Sequence, residues 1–535
     1  MKQHLSREDI SEIRKRLFLH LDGWVLIPTL YNLKKLNILQ LFIDQEKWTL
    51  AALNSKVGTN EGYLNVALRI LASQGYLLRT VDNELDKVNL QITTLGAEAF
   101  KKVEHYHAFF KLIVNKTVRP RNVISKAADT DALEAALIQL ESFRKHQKSA
   151  LDERMTYHME GLLMGSVLVG LGINGKLENL DSQLTLSPVL FEITQKTFDW
   201  FMRMLIAVEY ACISSSKHHL TAKGIYHIKR ASSYGVTLSY LPTLSQLHTL
   251  LKGDPHEIWR KNEEGHESHI YRYMNVWGSG GAHSSYFKKV DEIIIELFNR
   301  PIEQQPKGII DVGCGDGTFI THVFEIISQK TLRGQILHKH PLFIMGVDYN
   351  KKARNATREK LKSKNIKAHV GFGDISSPED LNEMLVDQYD IELAELLNTR
   401  TFLDHNRIYQ KPEATSLSCK SGGAFAYRGR KIPNNELFQN LSNHLKSWEP
   451  YVKKFGLLVV ELHAISPTEA ASNVGKTLAT PYEGTHGYSD QYIIELPSFL
   501  NAAKQAGLEP VDGYSFKIPD TQKPSISIQL LKGTC

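Results

Sequence analysis

Residues 308–318 read Gly308-Ile309-Ile310-Asp311-Val312-Gly313-Cys314-Gly315-Asp316-Gly317-Thr318. An apolar run ends at an aspartate, three alternate glycines follow, and a helical pattern begins at Thr318. Glycine tolerates the tight turn this demands and lets a ligand approach the backbone closely. A phosphate-binding P-loop would need Gly-Lys-Ser/Thr, which is absent, so nucleoside triphosphates are disfavoured. A dinucleotide site spaces its glycines GxGxxG, whereas this loop is GxGxG with an acid just before it.

Outward from the loop, short β-rich runs alternate with helical ones. Ile309–Val312, Leu342–Val347, Lys367–Val370, Ile391–Leu397 and Leu457–Leu462 are predicted strands, with helices near 318–328, 351–364, 377–387 and 434–454. Phe516–Ile518 and Ile526–Leu531 form a closing pair. The alternation indicates an α/β fold with a doubly wound, mainly parallel sheet. Asp311, Asp348 and Asp374 then stand at or just beyond three successive strand ends, where such sheets hold their ligands.

Aspartate ahead of GxGxG resembles motif I of the class I S-adenosylmethionine-dependent methyltransferases, which have a Rossmann-like sheet. The resemblance implies that Asp311, Gly313, Gly315 and Gly317 face the methionine part of the cofactor. It also implies that Asp348 takes the ribose hydroxyls and that Asp374 lies near the adenine amine. The 31 residues from Gly317 to Asp348 are more than usual and imply an insertion around 328–340.

The chain before the sheet is mostly helical. Residues 8–43 form a predicted helix with Ile13, Leu17, Leu21, Trp24, Val25 and Leu26 on its apolar face and a kink at Pro28. A Thr49-capped helix follows, then a helix over 61–73, a stop at Gly75, and a two-stranded ribbon through Tyr76-Leu77-Leu78 and Leu90-Gln91-Ile92-Thr93. This order is a winged-helix pattern. It recurs: Leu36-Asn37-Ile38 is echoed by Leu171-Gly172-Ile173, Thr49-Leu50 by Thr185-Leu186, and Ile92-Thr93-Thr94-Leu95-Gly96 by Leu220-Thr221-Ala222-Lys223-Gly224. Groove-reading helices need basic residues facing DNA. The helix over 61–73 offers only Arg69, and the segment near 195–208 sets Lys196 and Arg203 among Phe198, Trp200 and Phe201. Packing or substrate covering is expected of these lid modules, not nucleic-acid contact.

Composition bounds the remainder. The 535 residues are 42% hydrophobic with a formal charge of +6, which excludes general disorder. No stretch approaches the ~20 uninterrupted apolar residues of a membrane span, and no signal-peptide core follows Met1. Cys212, Cys314, Cys419 and Cys535 are scattered without a CxxC pair, against a disulfide framework or structural zinc. A cytoplasmic protein is expected, divided into a winged-helix-like module (1–105), a helical linker with a second such lid module (106–270) and the catalytic core (271–535). A homodimer through the winged helices is a further expectation.

Three stretches narrow the substrate: Asn275-Val276-Trp277-Gly278-Ser279-Gly280-Gly281-Ala282-His283 with Tyr286-Phe287; Asn398 to Arg407; and Glu461-Leu462-His463 with Thr485-His486-Gly487-Tyr488-Ser489-Asp490-Gln491. Together they resemble the metal-dependent C-methyltransferases in loading modules of cyanobacterial polyketide synthases, the apratoxin type. The resemblance implies a mononuclear iron or manganese site and a malonyl group on an acyl carrier protein, here docking in trans. A malonyl α-carbon must lose a proton before it attacks, and a divalent ion would stabilise the enolate. His486, Gln491 and His463 are the expected ligands, with Asp404 or His405 as alternatives. His405, His283 and Tyr286 are candidate bases, and Arg407 or Arg400 would pair with a substrate carboxylate. The competing reading is a metal-independent O-methyltransferase of a small metabolite with a His–Glu/Asp base.

Overall fold

The computed structural model describes residues 5–125, 128–260, 267–280, 283–521 and 523–533. Seven strands make the principal sheet: β1 (Gly308–Val312), β2 (Phe343–Val347), β3 (His369–Gly371), β4 (Leu396–Thr401), β5 (Leu457–Leu462), β6 (Leu508–Ile518) and β7 (Ile526–Gly533). Their order is β6-β7-β5-β4-β1-β2-β3. Neighbours from β5 through β3 run parallel, and β7 is antiparallel to both β5 and β6. This is the doubly wound arrangement that the β/α alternation predicts. The chain reverses its winding direction between β1 and β4, and a crevice for ligands opens at such a point.

Why these strands are apolar throughout follows from burial on both faces. Successive residues alternate between two cores. Ile310, Leu396, Leu457 and Val459 pack with Phe438, Leu441 and Trp448 of the helix Asn434–Val452. Ile309, Leu397, Leu458 and Val460 pack with Val290, Ile294, Phe319 and Val323 on the opposite side. The strand expected over 391–397 starts later. Leu393–Glu395 form a 3-10 turn in which Glu392 and Glu395 cap each other, and Asn382 accepts the Leu393 N–H, so pairing begins at Leu396.

The helical half is built on the crossing of Arg7–Lys35 and Ala150–Ile173. A Cβ on Gly23 would lie 2.4 Å from His158 O, and one on Gly161 would lie 2.4 Å from the His20 Cα, so these glycines let the two backbones touch. The first helix continues through Pro28 and breaks instead at Asn37, whose φ of +60° ends it before Ile38–Asp44. Burial of almost every residue from Leu19 to Leu33 holds the Pro28 turn in line.

Both winged-helix patterns are present. Helix Glu61–Ser73 leads into the hairpin Leu77–Asp82/Lys87–Ile92, and helix Gln195–Ala207 into Ala211–Ser214/Lys217–Leu220. Their duplication shows in detail. Thr93 and Thr221 each cap the following helix through the N–H three residues on, and each donates its own N–H to a tyrosine carbonyl, Tyr76 or Tyr210. A Cβ at Gly96 or Gly224 would fall 2.0 Å from that same carbonyl oxygen. Among the described residues no helix is long and apolar enough to cross a membrane.

Helix Glu61–Ser73 does not present a face to solvent. All residues from Gly62 to Ser73 are buried, and the helix lies against residues of the sheet domain. Tyr63 donates to Asp490, Gly62 abuts Arg430 O, and Val66 sits over Gly487. The position of a groove-reading helix has become an internal wall.

Candidate active site

The glycine loop leaves β1 and turns under β2. Gly313 and Cys314 donate their N–H groups to Val347 O at 2.8 and 3.0 Å, and Gly315 N–H reaches Asp348 Oδ2 at 3.1 Å. Gly313, Gly315 and Gly317 have φ of +79°, +57° and +80°, left-handed backbone that glycine adopts without penalty. A Cβ at Gly313 would strike Leu403, whereas one at Gly315 would meet only Gly313 O, at 4.0 Å, so the backbone there faces open space.

Asp311 ends β1 fully buried. Thr399 Oγ1 donates to its Oδ1 at 3.1 Å, but Oδ2 has no partner among the described residues. Burial without enough donors pushes its pKa up to about 7. Burial also raises Asp348, whose oxygens accept from Gly315 and Asn350. Asp374, half-buried beyond β3, accepts the Ser376 N–H. An orphaned carboxylate oxygen, an open glycine backbone and two further acids along one sheet edge fit a cofactor with an amine, a ribose and an adenine. Asp311, Gly313, Gly315, Asp348 and Asp374 are the residues that would hold it.

The second half of the site lies after β4. Phe402 takes φ +54°, a strained value for a large side chain, and its ring packs edge-on to Tyr286 at 5.9 Å. The turn carries Leu403 over Gly313 and delivers His405 to the end of β5. There His405 Nδ1 meets Glu461 Oε1 at 2.5 Å, and the His405 N–H donates to Oε2 at 3.1 Å. A carboxylate on Nδ1 fixes the tautomer with Nε2 as the basic atom. His486 stands beside it, with ring centroids 5.1 Å apart. His486 gives its Nδ1 proton to Tyr482 O at 2.8 Å, and burial depresses its pKa to about 3, so it is neutral. Neither Nε2 is hydrogen-bonded among the described residues. His486 and Gln491 line a cleft with Val66, Arg69, Phe425 and Glu483.

Asp404 and the two arginines form a separate buried cluster. Asp404 is held by Arg400 at 3.0 Å and His444 at 3.1 Å, and these interactions, opposing its burial, hold its pKa down near 2. Arg407 donates to Asn440 and to the Asp404 carbonyl, and Arg400 stacks on Trp448, both fully enclosed. Arg400 Nε and Nη2 and Arg407 Nη2 are buried without a hydrogen-bond partner among the described residues. The side chain of His283 lies outside the described residues.

Of the expected ligands His463, His486 and Gln491, His463 is turned away from the other two. His463 bonds Ile494 O through Nδ1 at 3.2 Å and Ser527 Oγ through Nε2 at 2.8 Å, so both ring nitrogens are spent inside the sheet. Gln491 is paired with Tyr240. No cluster of three His, Cys, Asp or Glu side chains able to hold an ion occurs among the described residues.

Sequence reasoning missed Glu461 as the histidine's partner, although an acid inside Leu457-Leu458-Val459-Val460-Glu461-Leu462 was a visible signal. It also missed Tyr240, for which no local signal existed.

Three family profiles match: an AprA N-terminal domain over residues 13–79, an AprA winged helix domain over 160–254 and an AprA MT2-like domain over 267–529. No curated protein matches the chain. Loose likenesses to solved structures include the mitomycin 7-O-methyltransferase MmcR (10% identity, 72% of this chain, 98% of that one, TM-score 0.42). A putative O-methyltransferase from Nostoc punctiforme gives 10% identity, 72% and 100% coverage and a TM-score of 0.39. Human N-acetylserotonin methyltransferase, solved with S-adenosylmethionine, gives 10%, 73%, 99% and 0.39.

Proposed function

Since the chain belongs to the AprA-type S-adenosylmethionine-dependent methyltransferases, we propose that it methylates the acidic carbon of a malonyl-type acyl thioester carried on an acyl carrier protein. The observation that carries the reading is the His405–Glu461 pair, a base with its lone pair fixed, on the turn whose Leu403 packs over Gly313. The bound cofactor supplies an electrophilic methyl group on a sulfonium. The protein's tasks are alignment and proton removal. His405 Nε2 takes the α-proton, Glu461 stabilises the imidazolium that forms, and the cleft walls exclude water. No step is assigned to an iron or manganese ion.

Charge supports a carrier in trans. Residues 351–367 hold eight of the chain's Lys and Arg against one acid, Glu359, so this segment alone more than accounts for the whole chain's excess of +6. Lys351, Lys352, Arg358, Lys362 and Lys367 are exposed around it, suited to an acidic partner.

The second reading, O-methylation of a hydroxylated small metabolite, is favoured by the same dyad, which deprotonates O–H as readily as an acidic C–H. Carbon-13 NMR of product made with methyl-labelled cofactor separates the two. A methyl on carbon supports the first reading, and a methoxy signal from a phenol or enol acceptor replaces it with the second.

A further inference from the structure

The cleft beside His405 is rich in acceptors. His405 Nε2 and His486 Nε2 offer lone pairs, because each ring gives its N–H to Glu461 or to the Tyr482 carbonyl. Glu483 adds Oε2, buried and without a partner among the described residues. Donors are scarce. Arg69 directs its guanidinium to Gly422 O, Ile465 O and Glu483 Oε1. Removing a proton from a carbon acid puts negative charge on its carbonyl oxygen, and that oxygen needs a donor in place before the charge forms.

Gln491 is the cleft side chain with a donor to give. Its amide carries two N–H groups, and one goes to the Tyr240 hydroxyl oxygen at 3.0 Å. The backbone that carries it is tied to both histidine segments: Gln491 N–H donates to His486 O at 3.0 Å, and the next N–H, of Tyr492, donates to His405 O at 2.7 Å. Asp490, which holds the turn at φ +53°, is anchored by Tyr63 and Arg428. Tyr240 comes from outside the sheet domain, beyond the second winged helix. It is only 2% exposed, and its ring centroid lies 6.0 Å from that of His486.

We infer that Gln491 donates a hydrogen bond to the acceptor's carbonyl oxygen while that oxygen carries enolate charge, and that Tyr240 is the positioning residue that holds the amide for it. The inference rests on the carbon-acid reading. The α-proton passes to His405 Nε2 and the C–H electron pair moves onto the carbonyl oxygen. The pair then returns to form the new carbon–methyl bond, and the sulfur keeps the electrons of the bond that breaks. Gln491 thus takes the charge-stabilising part that the family resemblance assigns to an ion.

The full-length enzyme is assayed on malonyl-loaded carrier protein with and without added iron(II) or manganese(II). Gln491→Glu separates a donor from a ligand: it removes the N–H groups but leaves an oxygen better suited to a cation. Loss of one such donor lowers kcat about 100- to 1,000-fold, so a fall in that range is expected for Gln491→Glu, with KM and cofactor affinity near wild type and no rescue by either metal. Tyr240→Phe, which frees the amide but keeps it, is expected to lose about tenfold in kcat at unchanged KM. Should Gln491→Glu fail to fold, Gln491→Met removes the donor without adding charge and carries the same expectation. Wild-type kcat in the Gln491 variants, or recovery on adding metal, overturns the inference alone. A wild-type enzyme that never methylates the malonyl group overturns it together with the carbon-acid reading.

Discussion

His405 Nδ1 and Glu461 Oε1 stand 2.5 Å apart although 56 residues separate them, because the parallel strands β4 and β5 end side by side. His405→Asn removes the proposed base while preserving a donor toward Glu461. A general base contributes about 100- to 10,000-fold, so kcat is expected to fall within that range while calorimetric cofactor binding is retained. Glu461→Gln, which leaves the imidazole but loosens its tautomer, is expected to cost less.

Asp311 makes the cofactor-free protein pH-sensitive. Its carboxyl is raised to about 7 in the fold from an ordinary 3.8, so between those values the folded state binds the extra proton. The stability it contributes is present below pH 4 and is lost as pH rises through 7. Asp311→Asn, which does not titrate, is expected to match wild type in unfolding temperature near pH 3.5 and to exceed it at pH 8. The same variant is expected to bind cofactor more weakly. Thermal scans across pH, with and without S-adenosylmethionine, check both.

Gly161 carries the central crossing of the helical half. A methyl placed 2.4 Å from the His20 Cα forces the two helices apart. Overpacking of this kind costs about 1–3 kcal/mol or more, and the shift also strains the buried contact of His20 with Glu160 at 3.0 Å. Gly161→Ala is expected to lower the urea midpoint accordingly, with the slope unchanged.

Arg69 and Glu483, 2.8 Å apart and both buried, join the first winged helix to the catalytic domain. Removing one member of a buried pair costs about 3–5 kcal/mol. Glu483→Gln leaves Arg69 without its counter-charge and near a second buried guanidinium, Arg79, whose pKa burial already lowers to about 9. Chemical unfolding is expected to show a loss of that size.

Much of the fold was legible because it is written in local pattern. The acid-glycine loop, the strand ends at Asp348 and Asp374 and the helix over 61–73 follow from glycine chemistry and hydrophobic period. The repeated Thr-x-x-Gly after each ribbon reflects one capping geometry used twice. The candidate site was harder, because its partners meet only through strand pairing and the docking of the helical half. Glu461 and His463 lie two apart on β5, and both are buried. Sheet geometry sends Glu461 to the His405 loop and commits His463 to Ser527, so choosing His463 for the site followed residue type where burial partners decide. Tyr240 reaches Gln491 across 251 residues, beyond any periodicity.

The most direct test is intact-mass spectrometry of malonyl-loaded carrier protein incubated with S-adenosylmethionine and either wild-type enzyme or His405→Asn, with metal-stripped samples alongside. The account predicts that the carrier gains the mass of a methyl group with wild type, metal-stripped or not, and stays unmodified over the same time with the variant. No gain with wild type, or an equal gain with His405→Asn, would contradict it.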